Sequence, residues 1–407
     1  MEGEAAIPLL RSSTAGDTSS LQTAGNIIVS VVGTGVLGLP FAFRIAGWLA
    51  GSIGVIIAGL STCCCMLKLV ECRNNLSAEE ESSARITFGD LGYKSLGRTG
   101  RIVTELLILI AQCGGSVAYL VFISQSLSSI FGPRRFTYIL LLVPIEILLS
   151  WIRTLSALAP FSIFADVCNA IAVAIVLRED LKVASTAQRE AIAPHPGQLP
   201  FAAGMAVFCF EGFGMTLALE ASMRQRAAFP KILVLTTAGI TAVYVLFGVL
   251  GYLAYGDRTE DIVTLNLPAN WSATAVQIGL CLGLVFTLPT MMHPIHEIVE
   301  GKLKATRWFQ NRGSRLGICA VRGAVVVGLA AVAAWVPSFG VFASLVGSTV
   351  CAVISFVLPS AFHLRLVGRS LPSRRKAVDY LFLLGGLALA LYGTYNAIFG
   401  IPRGPAE

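Results

Sequence analysis

Apolar residues fill the chain in runs about twenty long, separated by short polar stretches. Eleven such runs lie near residues 23–47, 48–70, 102–131, 136–152, 155–177, 200–222, 232–255, 272–298, 318–338, 341–364 and 378–400. Each is suited to cross the hydrocarbon core as a helix, so the pattern predicts an all-α polytopic membrane protein with eleven transmembrane helices. Two of the runs are interrupted at mid-depth. The first carries Gly33-Thr34-Gly35-Val36-Leu37-Gly38 at its middle, and the sixth carries Glu211-Gly212-Phe213-Gly214. Glycine weakens a helix, and freed backbone groups survive inside a bilayer only when buried in protein or lining a water-filled cavity. The two interruptions are 178 positions apart and each opens a set of five spans. That spacing predicts a 5+5 inverted repeat with broken helices 1 and 6. Residues 23–177 then form the first repeat and 200–364 the second. Residues 1–22 form a short cytosolic tail, 178–199 an outside loop, and 365–407 the eleventh helix with the C-terminus. Close helix packing is the alternative use of such glycines, as expected at Gly47/Gly51 and Gly279/Gly283.

Composition agrees with the pattern. The chain is 55% hydrophobic and 13% charged, against about 25% charged in soluble domains, and its mean hydropathy is +0.75. The net charge of +7 could suggest nucleic acid, but the placement of the charges decides otherwise. With the N-terminus in the cytosol, 22 Lys and Arg fall on inside segments and 8 on outside ones. This positive-inside bias orients the protein, with the C-terminus luminal or extracellular, and implies a lipid bilayer and no nucleic acid as its surroundings. No basic segment leads into a cleavable apolar stretch within residues 1–20, so no signal peptide is expected. Six of the ten cysteines lie in spans as small packing residues. Cys63, Cys64, Cys65 and Cys72 cluster toward the cytosolic end of the second span, where S-acylation is the alternative to packing. None lies in an outside loop, so no disulfide framework is implied.

Two motifs imitate enzymes. Gly33 to Gly38 spells G-x-G-x-x-G, the dinucleotide-binding turn, which requires a preceding strand and an acidic residue about 20 positions on. No Asp or Glu occurs between Asp17 and Glu71, so the ribose partner is missing. His293, His296 and Glu297 resemble a scrambled metal-hydrolase motif, but Pro294 disturbs the helix face that would hold both imidazoles. No enzyme activity, metal or cofactor is expected.

The stretch "GNIIVSVVGTGVLGLPFAFRIAGW" resembles the first-helix signature of the amino acid/auxin permease family. "VFCFEGFGMTLALEASM" is similar to its sixth-helix signature, "GYLAYGDRTEDIVTLNLP" to the end of its seventh helix and the following loop, and "GSTVCAVISFVLPSAFHLRL" to its tenth helix. The likeness runs in family order over nearly the whole chain, and is greatest to plant vacuolar exporters of neutral and aromatic amino acids. It implies a LeuT-like fold, a vacuolar membrane, and secondary transport of neutral amino acids coupled to a cation.

The two interruptions suit that substrate. Unwinding around Gly33, Thr34 and Gly35 bares N–H groups, and a half-helix starting near Val36 points its positive end at the same place, a carboxylate site without an arginine. Carbonyls freed near Phe210, Glu211 and Gly212 would meet the ammonium, with the Glu211 carboxylate beside them. Phe210, Phe213 and Tyr119 are candidates for the side-chain wall, and Gly114-Gly115-Ser116 would leave room for it or serve as a packing face. An ionisable residue inside a span is a functional candidate by default. Glu211 lies in a break, and a carboxyl at low dielectric can hold a proton, so it is the proton candidate, with helix capping or gate bracing as the alternative. Glu220 reads as structural, and Glu105, Glu146 and Asp166 are expected to pair with polar neighbours. In sodium-coupled relatives an Asn of the first half-helix and a Thr of the eighth span help hold the ion. Asn26 and Thr287 stand at those places and leave sodium coupling open. A transporter-like amino acid sensor is the other alternative, although such sensors usually carry a long soluble tail.

Overall fold

A computed structural model of the chain describes residues 18–79, 86–132, 134–152, 155–183, 190–191, 196–268, 270–304 and 315–399. Much of the expected tail (1–22), most of the expected outside loop and residues 401–407 therefore lie outside the described residues. The regular structure is helical: α1 (Ser20–Val31), a 3-10 turn (Thr34–Gly38), α2 (Leu39–Ala46), α3 (Trp48–Glu79), α4 (Phe88–Phe131), α5 (Arg135–Ser150), α6 (Leu155–Val183), α7 (Leu199–Cys209), α8 (Phe213–Ser222), α9 (Phe229–Tyr255), α10 (Trp271–Lys304), α11 (Arg315–Trp335), α12 (Phe339–Val346), α13 (Leu358–Leu366), α14 (Ser373–Ala388) and α15 (Thr394–Phe399). π-helical turns at Gly347–Cys351 and Val353–Val357 join α12 to α13, and another at Leu389–Gly393 joins α14 to α15.

Eight helices are long and apolar enough to cross a membrane, and the pair Ser20–Val31 with Thr34–Ala46, bent by 49°, makes a ninth if it is one span. The sequence predicts eleven. The two remaining candidates are helical but differ from the other nine in separate ways. α5 has only 16 residues, fewer than the ~20 a span needs, and the side chains at the start of α6 lie outside the described residues. The chain is thus an all-helical polytopic protein with eight to nine candidate spans among its described residues.

The chain separates into two compact units. One is built from Leu109–Glu179 and Thr264–Phe342, the other from the described parts of Ser12–Ile108, Asp180–Val263 and Ala343–Glu407. In the first, α10 approaches α6 through small residues. A Cβ added at Gly283 would stand 2.9 Å from Ala165 Cα, so the Gly279/Gly283 pattern is a packing face, as expected. In the second unit the fully buried ring of Phe43 on α2 is set between α3 and α9. A Cβ at Gly51 would lie 2.9 Å from that ring, and one at Gly248 on α9 would come closer still. Large apolar side chains such as Leu235 and Leu381 stay outward, as lipid allows.

Local rules explain where the second unit's helices start and stop. Ser19 and Gln22 form a capping box at the head of α1, with Gln22 N donating to Ser19 Oγ (3.3 Å) and Ser19 N to Gln22 Oε1 (2.9 Å). One residue earlier, Thr18 pairs with the end of α8: its N donates to Ser222 O and Arg224 N donates to its carbonyl, both at 3.1 Å. The polar stretch before the third expected span folds as the first turns of α4. Gly97, at φ 68°, turns the chain there in the left-handed region that favours glycine.

Candidate functional site

α1 stops at Val31, where Val32 is extended, and a 3-10 turn begins at Thr34. The first N–H groups of any helix lack intrahelical partners, so Thr34 and Gly35 present theirs at the interruption. Gly33 has φ −111° and ψ −167°, a conformation open to any residue. Glycine is needed here for proximity rather than for an unusual dihedral. A Cβ at Gly35 would stand 3.2 Å from Cys209 Sγ, 3.3 Å from Phe208 Cδ1 and 3.4 Å from Cys209 Cα. Pro40 follows in the first turn of α2, where its missing N–H costs nothing.

The second interruption mirrors the first. α7 ends at Cys209, α8 begins at Phe213, and Phe210, Glu211 and Gly212 link them. A Cβ at Gly212 would meet Val31 Cγ2 at 2.9 Å and Ser30 O at 3.5 Å. The interruptions therefore pack reciprocally, Gly35 against the end of α7 and Gly212 against the end of α1. Two polar atoms there are buried without a hydrogen-bond partner among the described residues, Thr34 Oγ1 and Glu211 Oε2. The Gly212 carbonyl accepts from Met215 N at 3.2 Å and from the Thr216 hydroxyl at 3.5 Å. A cavity of about 10 Å³ adjoins Gly212, Ser30, Val31 and Thr216, room for about one water and none for an amino acid.

Sequence reasoning missed the residue that joins the two interruptions. Tyr244, fully buried on α9, aims its hydroxyl at the last carbonyls of both interrupted helices, 3.2 Å from Val31 O and 3.1 Å from Cys209 O. One hydroxyl hydrogen serves two carbonyls. Its ring lies 5.0 Å from that of Phe210. The sequence held a signal, a polar-tipped aromatic at the middle of the 232–255 run, but tyrosines are common in spans and nothing marked this one.

The other expected site residues are distributed as follows. Phe210 and Phe213 are fully buried, and Phe210 points toward α3 and α9, where a Cβ at Gly59 would come within 3.1 Å of its Cζ. Asn26 is half-buried on α1 in the same unit. Tyr119 on α4 and Thr287 on α10 belong to the other unit. The Thr287 hydroxyl donates to Gly283 O of its own helix at 2.9 Å. Glu220 forms a buried ion pair with Arg73 of α3, and Arg73 Nη1 also donates to Leu217 O at 3.4 Å, which bears out a structural role. Glu105 pairs with Arg101 at 2.7 Å. Glu146 departs from expectation: both of its oxygens are buried and unpartnered among the described residues. The imitation metal motif holds His293 Nδ1 3.9 Å from Glu297 Oε1, within an α10 that continues through Pro289 and Pro294.

Comparison with known proteins follows from this geometry. The family model described as transmembrane amino acid transporter protein matches residues 16–399. Amino acid transporter ANT1 of Arabidopsis thaliana is 58% identical over 422 residues, covering 98% of each chain. Amino acid transporter AVT3B of the same plant is 38% identical, covering 94% of this chain and 93% of its own. Vacuolar amino acid transporter 4 of Saccharomyces cerevisiae is 26% identical, covering 95% of this chain and 59% of its own. Among solved structures, Mhp1, a nucleobase-cation-symport-1 family transporter, matches with a TM-score of 0.56 at 13% identity, covering 96% of this chain and 95% of that one. A Na+-coupled sialic acid symporter matches at 0.54 and 11%, covering 96% and 92%. At such identities the likeness is one of fold, and that fold is LeuT-like. With the repeating structure of its described residues helical and its length matched almost end to end, the chain belongs to the transmembrane amino acid transporter (amino acid/auxin permease) family and is a multi-pass membrane transporter, not an enzyme.

Proposed function

We propose that the protein is a secondary active transporter that moves neutral amino acids, aromatic ones included, across the vacuolar membrane in exchange for the free energy of a proton gradient. The observation that carries this reading is the reciprocal packing of two helix interruptions with Thr34 Oγ1 and Glu211 Oε2 left buried and unpartnered between helix ends. Buried polar atoms without partners are rare and point to a ligand or proton that supplies them. In this reading Gly33, Thr34 and Gly35 receive the substrate carboxylate at the positive end of the following helix. Carbonyls at Phe210, Glu211 and Gly212 receive the ammonium, Phe210 and Phe213 bound the side chain, and Glu211 carries the proton. The eleven-span, 5+5 repeat over 23–177 and 200–364 is part of the same proposal, with a cytosolic N-terminus and a luminal C-terminus. It is supported by the fact that each compact unit draws helices from both halves of the chain. The name of the yeast relative supports the vacuolar membrane, and the names of the yeast and plant relatives support the amino acid substrate.

The test is uptake of a panel of radiolabelled amino acids into proteoliposomes under imposed pH or sodium gradients. Proton coupling through Glu211 predicts that Glu211→Gln removes the pH dependence of uptake and that replacing sodium by choline changes little. Full retention of pH-driven uptake by Glu211→Gln, or collapse of wild-type uptake without sodium, would overturn the proton assignment.

A further inference from the structure

We propose that the turn joining α13 to α14 is a docking surface for a phosphomonoester-bearing lipid headgroup in the cytosolic leaflet. Residues 365–376 contain Arg365, Arg369, Arg374, Arg375 and Lys376 and no acidic residue. The candidate span before the turn ends at Leu366 and the next begins at Ser373. The five cations therefore stand where spans meet headgroups, in the leaflet that the N-inside orientation proposed above makes cytosolic.

The cations are displayed on a fixed frame. Val367 N donates to His363 O and Ser370 N to Val367 O, each at 3.0 Å, and Leu371 N donates to Gly368 O at 3.4 Å. Val367 and Leu371 are buried beneath the turn, and Asn75 Nδ2 of α3 holds the carbonyl of Leu366 at 3.3 Å. Arg375 is already engaged. It reaches Glu71 at 3.3 Å, Glu71 meets His363 Nε2 at 3.4 Å, and His363 Nδ1 lies 2.7 Å from Asp379, which also takes Lys68 at 2.7 Å. This chain of charges, exposed at Arg375, half-buried at Glu71 and buried at His363, Asp379 and Lys68, ties the turn to α3. Arg365, Arg369 and Arg374 are exposed and Lys376 half-buried, and none of the four forms an ion pair or side-chain hydrogen bond among the described residues.

A second feature favours an anion at the same place. α14 begins behind Pro372, with no side-chain cap for its first turn, so the N–H groups of Ser373 and Arg374 are open toward the turn. Arginine presents paired N–H donors that match phosphate oxygens. A phosphomonoester carries close to two negative charges at neutral pH, which suits four unpaired cations better than a singly charged headgroup does. Basic clusters beside transmembrane helices attract acidic leaflets in general. Here the turn geometry and the uncapped helix add a local shape to that attraction.

The experiment uses the full-length protein in neutral-lipid nanodiscs and reads binding directly, so it does not depend on which substrate or ion is transported. Nanodiscs doped with phosphatidylinositol phosphate are compared with others carrying phosphatidylserine at matched charge, and lipid retention is measured by native mass spectrometry. Soluble inositol phosphate and an acidic peptide are run as competitors. R365Q/R369Q/R374Q is set beside a control that removes the same charge elsewhere, R98Q/R224Q/K231Q. The expected result is preferential retention of the phosphoinositide, weakened at least tenfold in the turn variant and little changed in the control. Equal loss in both variants, equal retention of phosphatidylserine, or no loss in either would overturn the proposal. Equally tight binding of soluble inositol phosphate alone would reassign the surface to a free phosphate compound, and tighter binding of the acidic peptide would reassign it to a protein partner.

Discussion

Replacing Tyr244 with Phe removes one oxygen from the point where the two interruptions meet, and the structure sets the size of the effect. The Val31 carbonyl keeps the N–H of Gly33 at 3.1 Å. Cys209 O, at the end of α7, loses the hydroxyl that stands 3.1 Å away. A net hydrogen bond is worth about 1 kcal/mol, and a buried carbonyl left unsatisfied costs about 1–3 kcal/mol, so Tyr244→Phe should cost about 2 kcal/mol. That is about a 30-fold change in an equilibrium constant. The ring and its 5.0 Å contact with Phe210 are kept, which isolates the hydroxyl from the packing. Tyr244→Ala removes both and should cost about 3–5 kcal/mol, as for other buried aromatics. The stability assay is the thermal midpoint of the detergent-solubilised protein, followed by a thiol-reactive dye, since Cys65, Cys72, Cys209, Cys281 and Cys351 are buried until the fold opens. The companion assay is KM and Vmax in proteoliposomes. A tie made in every state of the cycle lowers the midpoint and leaves KM unchanged. A tie made in one state alone changes KM or Vmax as well. A phenylalanine variant matching wild type in midpoint, KM and Vmax would refute the idea that this hydroxyl holds the helix ends together.

Further outcomes follow from the same geometry. Gly35→Val should abolish transport, because its branched side chain must displace Cys209 and Phe208, already 3.2–3.4 Å from a Cβ at that site; Gly35→Ala should retain part of it, and normal uptake by the valine variant would return Gly35 to a bystander. Glu220→Gln, which leaves the buried guanidinium of Arg73 without its counter-charge, should destabilise by about 3–5 kcal/mol, read as a lower thermal midpoint, whereas mutating the exposed Arg101–Glu105 pair should shift it by less than about 1 kcal/mol. Single cysteines introduced at Asn270 and Asn75 should be labelled from opposite sides of the membrane, the first from the lumen, and labelling of both from one side would refute the eleven-span, N-inside topology.

Transfer into a bilayer is decided residue by residue, which is why so much was legible without a structure. A run such as 232–255 is apolar wherever its neighbours stand, so helices and their order can be read along the line of the chain. The interruptions at Gly33–Gly38 and Glu211–Gly214 were legible for the same reason, since weak helix formers at mid-depth are a local property. Tertiary structure decided which atoms meet. Tyr244 lies 213 positions from Val31 and 35 from Cys209, Glu220 finds Arg73 on α3, and Glu146 finds no donor among the described residues. Gly35 is required by the approach of Cys209 rather than by its own dihedrals, a reason that exists only once α7 is packed against the first interruption. Hydropathy depends on a residue and the solvent around it. A hydrogen bond between distant helices depends on how both pack, and that information is spread over every interface between them.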